Sequence, residues 1–187
     1  MVELSSIAAG TRAADALVKK AQVRLERVGT LQPGMFALLF TGDVASVDEA
    51  FGEALRVGGR AVTDSLMLPH VDASVYLAVA GERASFDGDT LGVVETSTLS
   101  AAIEAADVAV KGASVRVASV RLGDELGGKG LVHLVGDHHD VAAALELVRA
   151  RVPRHPRSVE TSLTPRIDEG LLKALATSTR FWSARHS

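Results

Sequence analysis

Apolar and polar positions recur along the chain in two cycles of the same order. In the first, a short β-rich opening from Val2 to Ser5 gives way to an Ala-rich stretch with helical spacing. Alternation at Val23, Leu25 and Val28 then predicts a half-buried strand. A Gly-containing loop leads to an apolar strand, Met35 to Phe40, and Gly42-Asp43 turns the chain into a helix over Val44 to Val57. A further strand over Ala61 to Met67 and a short helix after Pro69 close the cycle. The second cycle has a strand over Leu91 to Thr96 and a helix from Ser100 to Ala113. Leu99, Ile103, Ala106 and Val110 share one face of that helix. An alternating strand through Val115, Val117 and Val120 follows, then an apolar strand over Gly130 to Val135. A helix over Asp140 to Arg151, a strand over Ser158 to Leu163 and a short helix after Pro165 complete it.

The letters repeat as well as the pattern. At an offset of 92, thirteen of the 27 residues from Val2 to Val28 recur unchanged, too many for chance even in an Ala/Val-rich chain. The match resumes at an offset of 94, where Gly34, Gly42 and Asp43 meet Gly128, Gly136 and Asp137. The second copy therefore carries two extra residues, both after its second strand. The order β-α-β-β-α-β predicts an α+β chain of two tandem ferredoxin-like units, with helices on one face of an antiparallel sheet. The acidic, Gly-bearing stretch Gly81 to Asp89 is the natural joint, giving domains 1–86 and 87–187.

Composition sharpens this picture. The chain has 187 residues, so each half must fold around a modest core of its own. The helices are rich in alanine, which permits close approach but buries little area per residue, so an obligate oligomer is expected. With no cysteine, disulfides, thiol nucleophiles and Cys-ligated metals or clusters are excluded. A net charge of −3 gives no field for nucleic acid. Eight Lys/Arg against three acids from Arg149 onward read as a solvated surface. No apolar run reaches the roughly 20 residues of a membrane span, and the opening lacks the regions of a signal peptide. The expectation is a cytoplasmic protein with no membrane partner.

Candidate chemistry is sparse. Gly136-Asp137-His138-His139-Asp140 occupies the strand-to-helix turn that Gly42-Asp43 forms in the first copy. There Asp is expected to cap the helix and both histidines to lie in its exposed first turn, not in a metal site. His133, in an apolar strand, reads as a packed or interface histidine. No nucleophile elbow, Walker loop or His-Glu-x-x-His motif is present. The glycine-rich run Gly123 to Gly130 joins two strands instead of opening a helix, so it lacks the logic of a phosphate loop. It is also where the two copies differ most. Glu3 and Glu95 hold equivalent places in the opening strands and are expected to make strand or interface hydrogen bonds. Lys19 and Lys111 recur at the ends of the first helices, where they favour the helix dipole.

Leu91-Gly92-Val93-Val94-Glu95-Thr96, followed by Ala101 to Ala106, Asp107, Val110, Lys111 and Ala113, resembles the opening of a bacterial microcompartment shell domain. Gly34-Met35-Phe36, with Gly42-Asp43-Val44 and Val47, does the same in the first copy. The resemblance covers nearly the whole chain twice, in unpermuted order, as in the tandem-domain shell proteins. It implies a non-enzymatic homotrimer, a pseudohexameric tile that assembles with hexameric and pentameric tiles into a shell and passes small metabolites through a central pore. Carried onto this chain, the pore is lined by Thr30, Leu31, Gln32, Pro33 and Gly34 from one loop. Gly123, Asp124, Glu125, Leu126, Gly127 and Gly128 line it from the other. Lys19, Lys111 and Arg166 fall at the tile edge. Three copies of Asp124 and Glu125 would repel anions if they face the lumen, with Lys129 offsetting them. Relatives that hold an iron–sulfur cluster do so through a loop cysteine, so no cofactor is expected here. The alternative is a trimeric ferredoxin-like protein that binds or senses a small molecule between subunits.

Overall fold

The computed structural model describes residues 1–123, 125–154 and 156–180. The first cycle builds β1 (Val2–Leu4), α1 (Ile7–Lys20), β2 (Arg24–Leu31), β3 (Met35–Thr41), α2 (Val44–Gly58), β4 (Val62–Ser65) and α3 (Ala73–Ala80). The second builds β5 (Thr90–Thr96), α4 (Leu99–Gly112), β6 (Arg116–Leu122), β7 (Gly130–Gly136), α5 (His138–Arg151), β8 (Val159–Pro165) and α6 (Glu169–Thr177). Strands run β2-β3-β1-β4 in one sheet and β6-β7-β5-β8 in the other, all pairs antiparallel. This is the ferredoxin-like order, made twice. The duplication extends to an irregularity: the register shifts between Leu25 and Arg27 and, 92 residues on, between Val117 and Ser119.

Local chemistry starts each helix where its sequence turns polar. The Ser6 hydroxyl accepts from Ala9 N–H, and Thr98 does the same for Ala101 N–H. The Asp43 carboxylate accepts from Ser46 N–H at 2.9 Å. The expected cap by Asp137 is not made: α5 begins at His138, and the Asp137 side chain holds none of its N–H groups. Small residues let helix and sheet close up. A Cβ on Gly10 would lie 2.3 Å from the Phe36 ring, and one on Gly130 would lie 2.3 Å from Ala102 Cβ.

The core of the first unit gathers Val2, Leu4, Leu17, Phe36, Leu38 and Phe40 around the alanines of α1 and α2. The core of the second is larger because it recruits the first. Met1, Leu66, Val75, Ala78 and Val79 join Ile103, Val117, Val120, Leu134 and Leu145 in one cluster. Two Ala-rich units thus compensate their thin cores by sharing one.

Candidate functional site

The two loops assigned to the pore lie side by side. In the first, Gly34 N–H donates to the Leu31 carbonyl at 2.8 Å, and Gly34 has a φ of +99°, which only glycine adopts without strain. In the second, Gly123 N–H donates to Lys129 O at 2.9 Å, and Leu126 N–H to Gly123 O at 3.1 Å. A Cβ on Gly123 would meet the Leu31 side chain at 2.8 Å, and one on Gly128 would meet Gln32 O at 3.3 Å. Beside them opens a recess of about 480 Å³, bordered by Ile7, Thr30, Leu31, Gln32, Gly34, Glu125 and Arg180. Asp124 lies outside the described residues. The Glu125 carboxylate sits 3.8 Å from Arg121 and 3.7 Å from Arg180. Lys129 is drawn off the loop to Glu95, at 2.5 Å.

Away from the loops, the junction between the two units is held by acids of the first sheet. Glu3 and Asp64 face one another across β1 and β4, an arrangement that like charges disfavour unless both are met by positive groups. They are. Glu3 is fully buried, and its carboxylate accepts from Leu99 N–H at 3.1 Å and Ser100 N–H at 2.7 Å, at the positive end of α4. Burial pushes its carboxyl above the usual range, while the hydrogen bonds from Ser100 and Leu99 pull it back down. Asp64 receives a two-pronged Arg157, 2.8 Å from Nε and 3.0 Å from Nη2, and the Thr98 hydroxyl at 2.6 Å. Arg157 also pairs with Glu104 and donates to the Ser65 carbonyl. α3 leaves the first unit and lies against β6 and α4 of the second.

Among the described residues, the second unit presents the same surface without a helix N-terminus or an arginine on it, and Lys129 is the group that reaches Glu95. Glu95 and Glu160 oppose one another across β5 and β8, as Glu3 and Asp64 do. Both are exposed. The positive counterparts are bare too: Ile7 at the start of α1 is 44% exposed where its equivalent Leu99 is 2%. Arg60, equivalent to Arg157 by its place two residues before the last strand, is exposed, as is Arg12. Leu25 and Val28 on β2 are 40% and 43% exposed, against 3% and 8% for Val117 and Val120 on β6.

Lys19, Lys111 and Arg166, expected from the resemblance at a tile edge, are also unlike. Lys111 pairs with Asp107 at 2.7 Å and donates to the His70 carbonyl, while Asp107 is buried and accepts from Asp72 N–H at 2.9 Å. Lys19 pairs with Asp15 at 2.7 Å, both in solvent. Arg166 is exposed with a φ of +47° in the turn before α6. His138 and His139 are exposed, and ligand atoms of Asp137, His139 and Asp140 lie within 4.8 Å of one another on open surface. His133 is buried, with Nδ1 2.9 Å from the Ser119 hydroxyl and its ring tilted on Phe86. Burial, then the charges of Arg83 and Arg121, lowers its pKa to about 4.

Sequence reasoning placed the loops and found Glu3 and Glu95. It missed Asp64, Arg157 and Thr98. The usable signal was the repeated Arg two positions before each last strand, at Arg60 and Arg157, opposite an acid on the strand beside it. No helix is long and apolar enough to cross a membrane among the described residues.

Two ferredoxin-like units in tandem, joined through a buried acid-to-helix junction, place the chain in the α+β class of doubled βαββαβ proteins. The model of the BMC domain matches residues 1–71 and again 90–167, and the chain belongs to this family of bacterial microcompartment shell proteins. It is 35% identical over 175 residues to the bacterial microcompartment shell protein PduT of Citrobacter freundii, covering 94% of this chain and 95% of that one. A crystal structure of a microcompartment protein from Desulfitobacterium hafniense DCB matches at 32% identity and a TM-score of 0.76, over 92% of this chain and 96% of that one. A fused permuted shell protein of the RMM microcompartment, at 24% identity and a TM-score of 0.60 over 79% of each chain, shares the fold.

Proposed function

We propose that this shell protein is a homotrimeric, non-enzymatic tile, a ring of six domains around an opening that passes small metabolites. The observation that carries the reading is the unequal state of two equal surfaces. Within the chain, the acid pair Glu3 and Asp64 is met by the α4 N-terminus and Arg157. Among the described residues, Glu95 and Glu160 form the same pair with no such partner, while the α1 N-terminus and Arg60 are the same partners with no acid. Joining one copy's Glu95 surface to the next copy's α1 repeats the internal junction, and because each chain supplies two units, three chains complete a six-unit ring. Charge supports the match, since Arg12 and Arg60 lie on one side and Glu95 and Glu160 on the other.

Ring closure gathers three copies of each loop around one axis. The pore is then lined by Thr30 to Gly34 and by Gly123 to Gly128. Glu125 is partly compensated by Arg121 and Arg180, and handing Glu95 to a helix N-terminus frees Lys129 beside the opening. The lumen is therefore less anionic than the acids alone imply. Lys19, Lys111 and Arg166 form the outer edge that meets hexameric and pentameric tiles in the shell, inside the cytoplasm. The domains divide at 86/87. Electron microscopy of the purified protein tests this: hexagon-outlined discs with an axial hole, tiling into sheets, are expected. Monomers, or trimers with no hole and no lateral association, would overturn it.

A further inference from the structure

We infer that α6 is exchanged between copies: in the ring it leaves its own unit and seats on β2 of the neighbouring copy, as α3 seats on β6 within the chain. The inference rests on the trimeric ring proposed above and names what covers the bare β2 ridge in it.

The internal repeat supplies the template. α3 and α6 follow the same lead-in, Pro69-His70-Val71-Asp72 and Pro165-Arg166-Ile167-Asp168, and both aspartates cap their helices, Asp72 on Ser74 N–H and Asp168 on Leu171 N–H. From those caps, Val75, Ala78 and Val79 correspond to Leu171, Ala174 and Leu175. The three residues of α3 are buried in the cluster that contains Val117 and Val120. In α6 no residue is buried, and Leu171 is among the exposed large apolar side chains of the protein. The seat is equally idle: Leu25 and Val28, the equivalents of Val117 and Val120, form an exposed apolar ridge. One helix half-seated on its own sheet through Leu172 and Leu175, with Leu171 and Ala174 left exposed, and one seat without a helix, related by the repeat that already shows them joined, fit each other in a second copy.

The hinge agrees. In the single chain the turn into α6 puts Arg166, a residue with a Cβ, at a φ of +47°, while His70 at the equivalent turn shows no such backbone. That strained turn folds α6 back so that Leu172 and Leu175 rest on their own sheet near Phe86 and Ala118. At the equivalent turn the lead-in to α3 is pinned to the next unit by Asp72 N–H on Asp107 and by Lys111 on the His70 carbonyl. Asp15 and Lys19 of α1 hold those two positions in the next copy, free to receive Asp168 and Arg166 in the same way.

The chain has no cysteine, so the test is clean. Val28→Cys and Leu171→Cys are placed together in the full chain, oxidised or bridged with a short bismaleimide, and run on a denaturing gel. A parallel chain carries Ala8→Cys with Glu95→Cys, which reports the ring junction alone. Exchange predicts a covalent ladder up to trimer from the first pair, and none from either single variant. As a second readout, Leu171→Asp is expected to leave secondary structure intact while raising at least tenfold the concentration at which the trimer dissociates. A covalent trimer from the Ala8–Glu95 pair with only monomer from the Val28–Leu171 pair overturns the exchange and leaves the ring standing. Monomer from both, with a monomeric native mass, overturns the ring and the exchange together.

Discussion

Two copies of one domain, nearly identical in fold, differ most in what covers them. The first helix of the second unit is buried along its outer face by the first unit, while the first helix of the first unit shows Ile7, Ala8 and Arg12 to solvent. β6 is covered and β2 is bare. Identical surfaces differ this way because one member of the repeated contact is made inside the chain, and we propose that the other is made by a second chain. The lesson for fused repeats is that the internal junction supplies, residue by residue, the template against which an external one can be tested.

The comparison breaks most severely at the buried ion pair. Asp64→Ala leaves the Arg157 guanidinium buried without its main partner and is expected to cost about 3–5 kcal/mol in urea unfolding. Replacing both residues with apolar side chains of similar volume should recover most of that loss. A loss as large from Glu160→Ala in the dissociated chain would show that the two surfaces are not in the different states described.

His133 gives the next largest effect, and a pH dependence with a definite sign. Its pKa is lowered from 6.5 to about 4, so below 6.5 the unfolded chain binds a proton that the folded chain refuses. Stability held above pH 6.5 is therefore lost as pH falls through that window, by about 3 kcal/mol at full extent. His133→Gln should flatten the unfolding free energy between pH 6.5 and 4. The equivalent position in the first unit is Leu39, which titrates nothing, so the slope belongs to one unit only. Glu3 runs the other way: its raised carboxyl pKa makes its contribution greatest at low pH and lost as pH rises above the ordinary carboxylate range.

Glu3→Ala removes two hydrogen bonds to a helix N-terminus and should cost about 2–3 kcal/mol. Its counterpart Glu95→Ala should leave the fold of the chain unchanged, yet weaken association at least tenfold by sedimentation. At the edge the contrast is smallest. Lys111→Ala exposes the buried Asp107 to the loss of its cation, about 1 kcal/mol, whereas Lys19→Ala should not move the unfolding midpoint.

Much of this was legible in the sequence for identifiable reasons. The 92-residue offset, the alternation through Val115, Val117 and Val120, and the Gly-Asp turns all express local rules, and the elements fell where those rules put them. The cap at Asp137 did not, although Asp43 makes it in the same turn: the Asp137 side chain accepts no hydrogen bond from the start of α5, and its carboxylate lies within 4.8 Å of ligand atoms of His139 and Asp140. What local rules cannot show is which copy of a repeated surface is covered. Val28 and Val120 read alike in sequence, and only the path of α3 across the junction separates them. The repeat marks Arg60 and Arg157, but not what Arg157 pairs with, for a related reason: its pairing with Asp64 spans 93 residues and two units, beyond the reach of any periodicity.

The most direct measurement of the central claim is native mass spectrometry of the wild-type chain beside Glu95→Ala and Arg60→Ala, over a dilution series. A trimeric ring requires a wild-type species of three chains that persists on dilution. Either substitution, neither of which touches the internal junction, should shift it toward folded single chains. A wild type that stays monomeric, or a trimer indifferent to both substitutions, would contradict it.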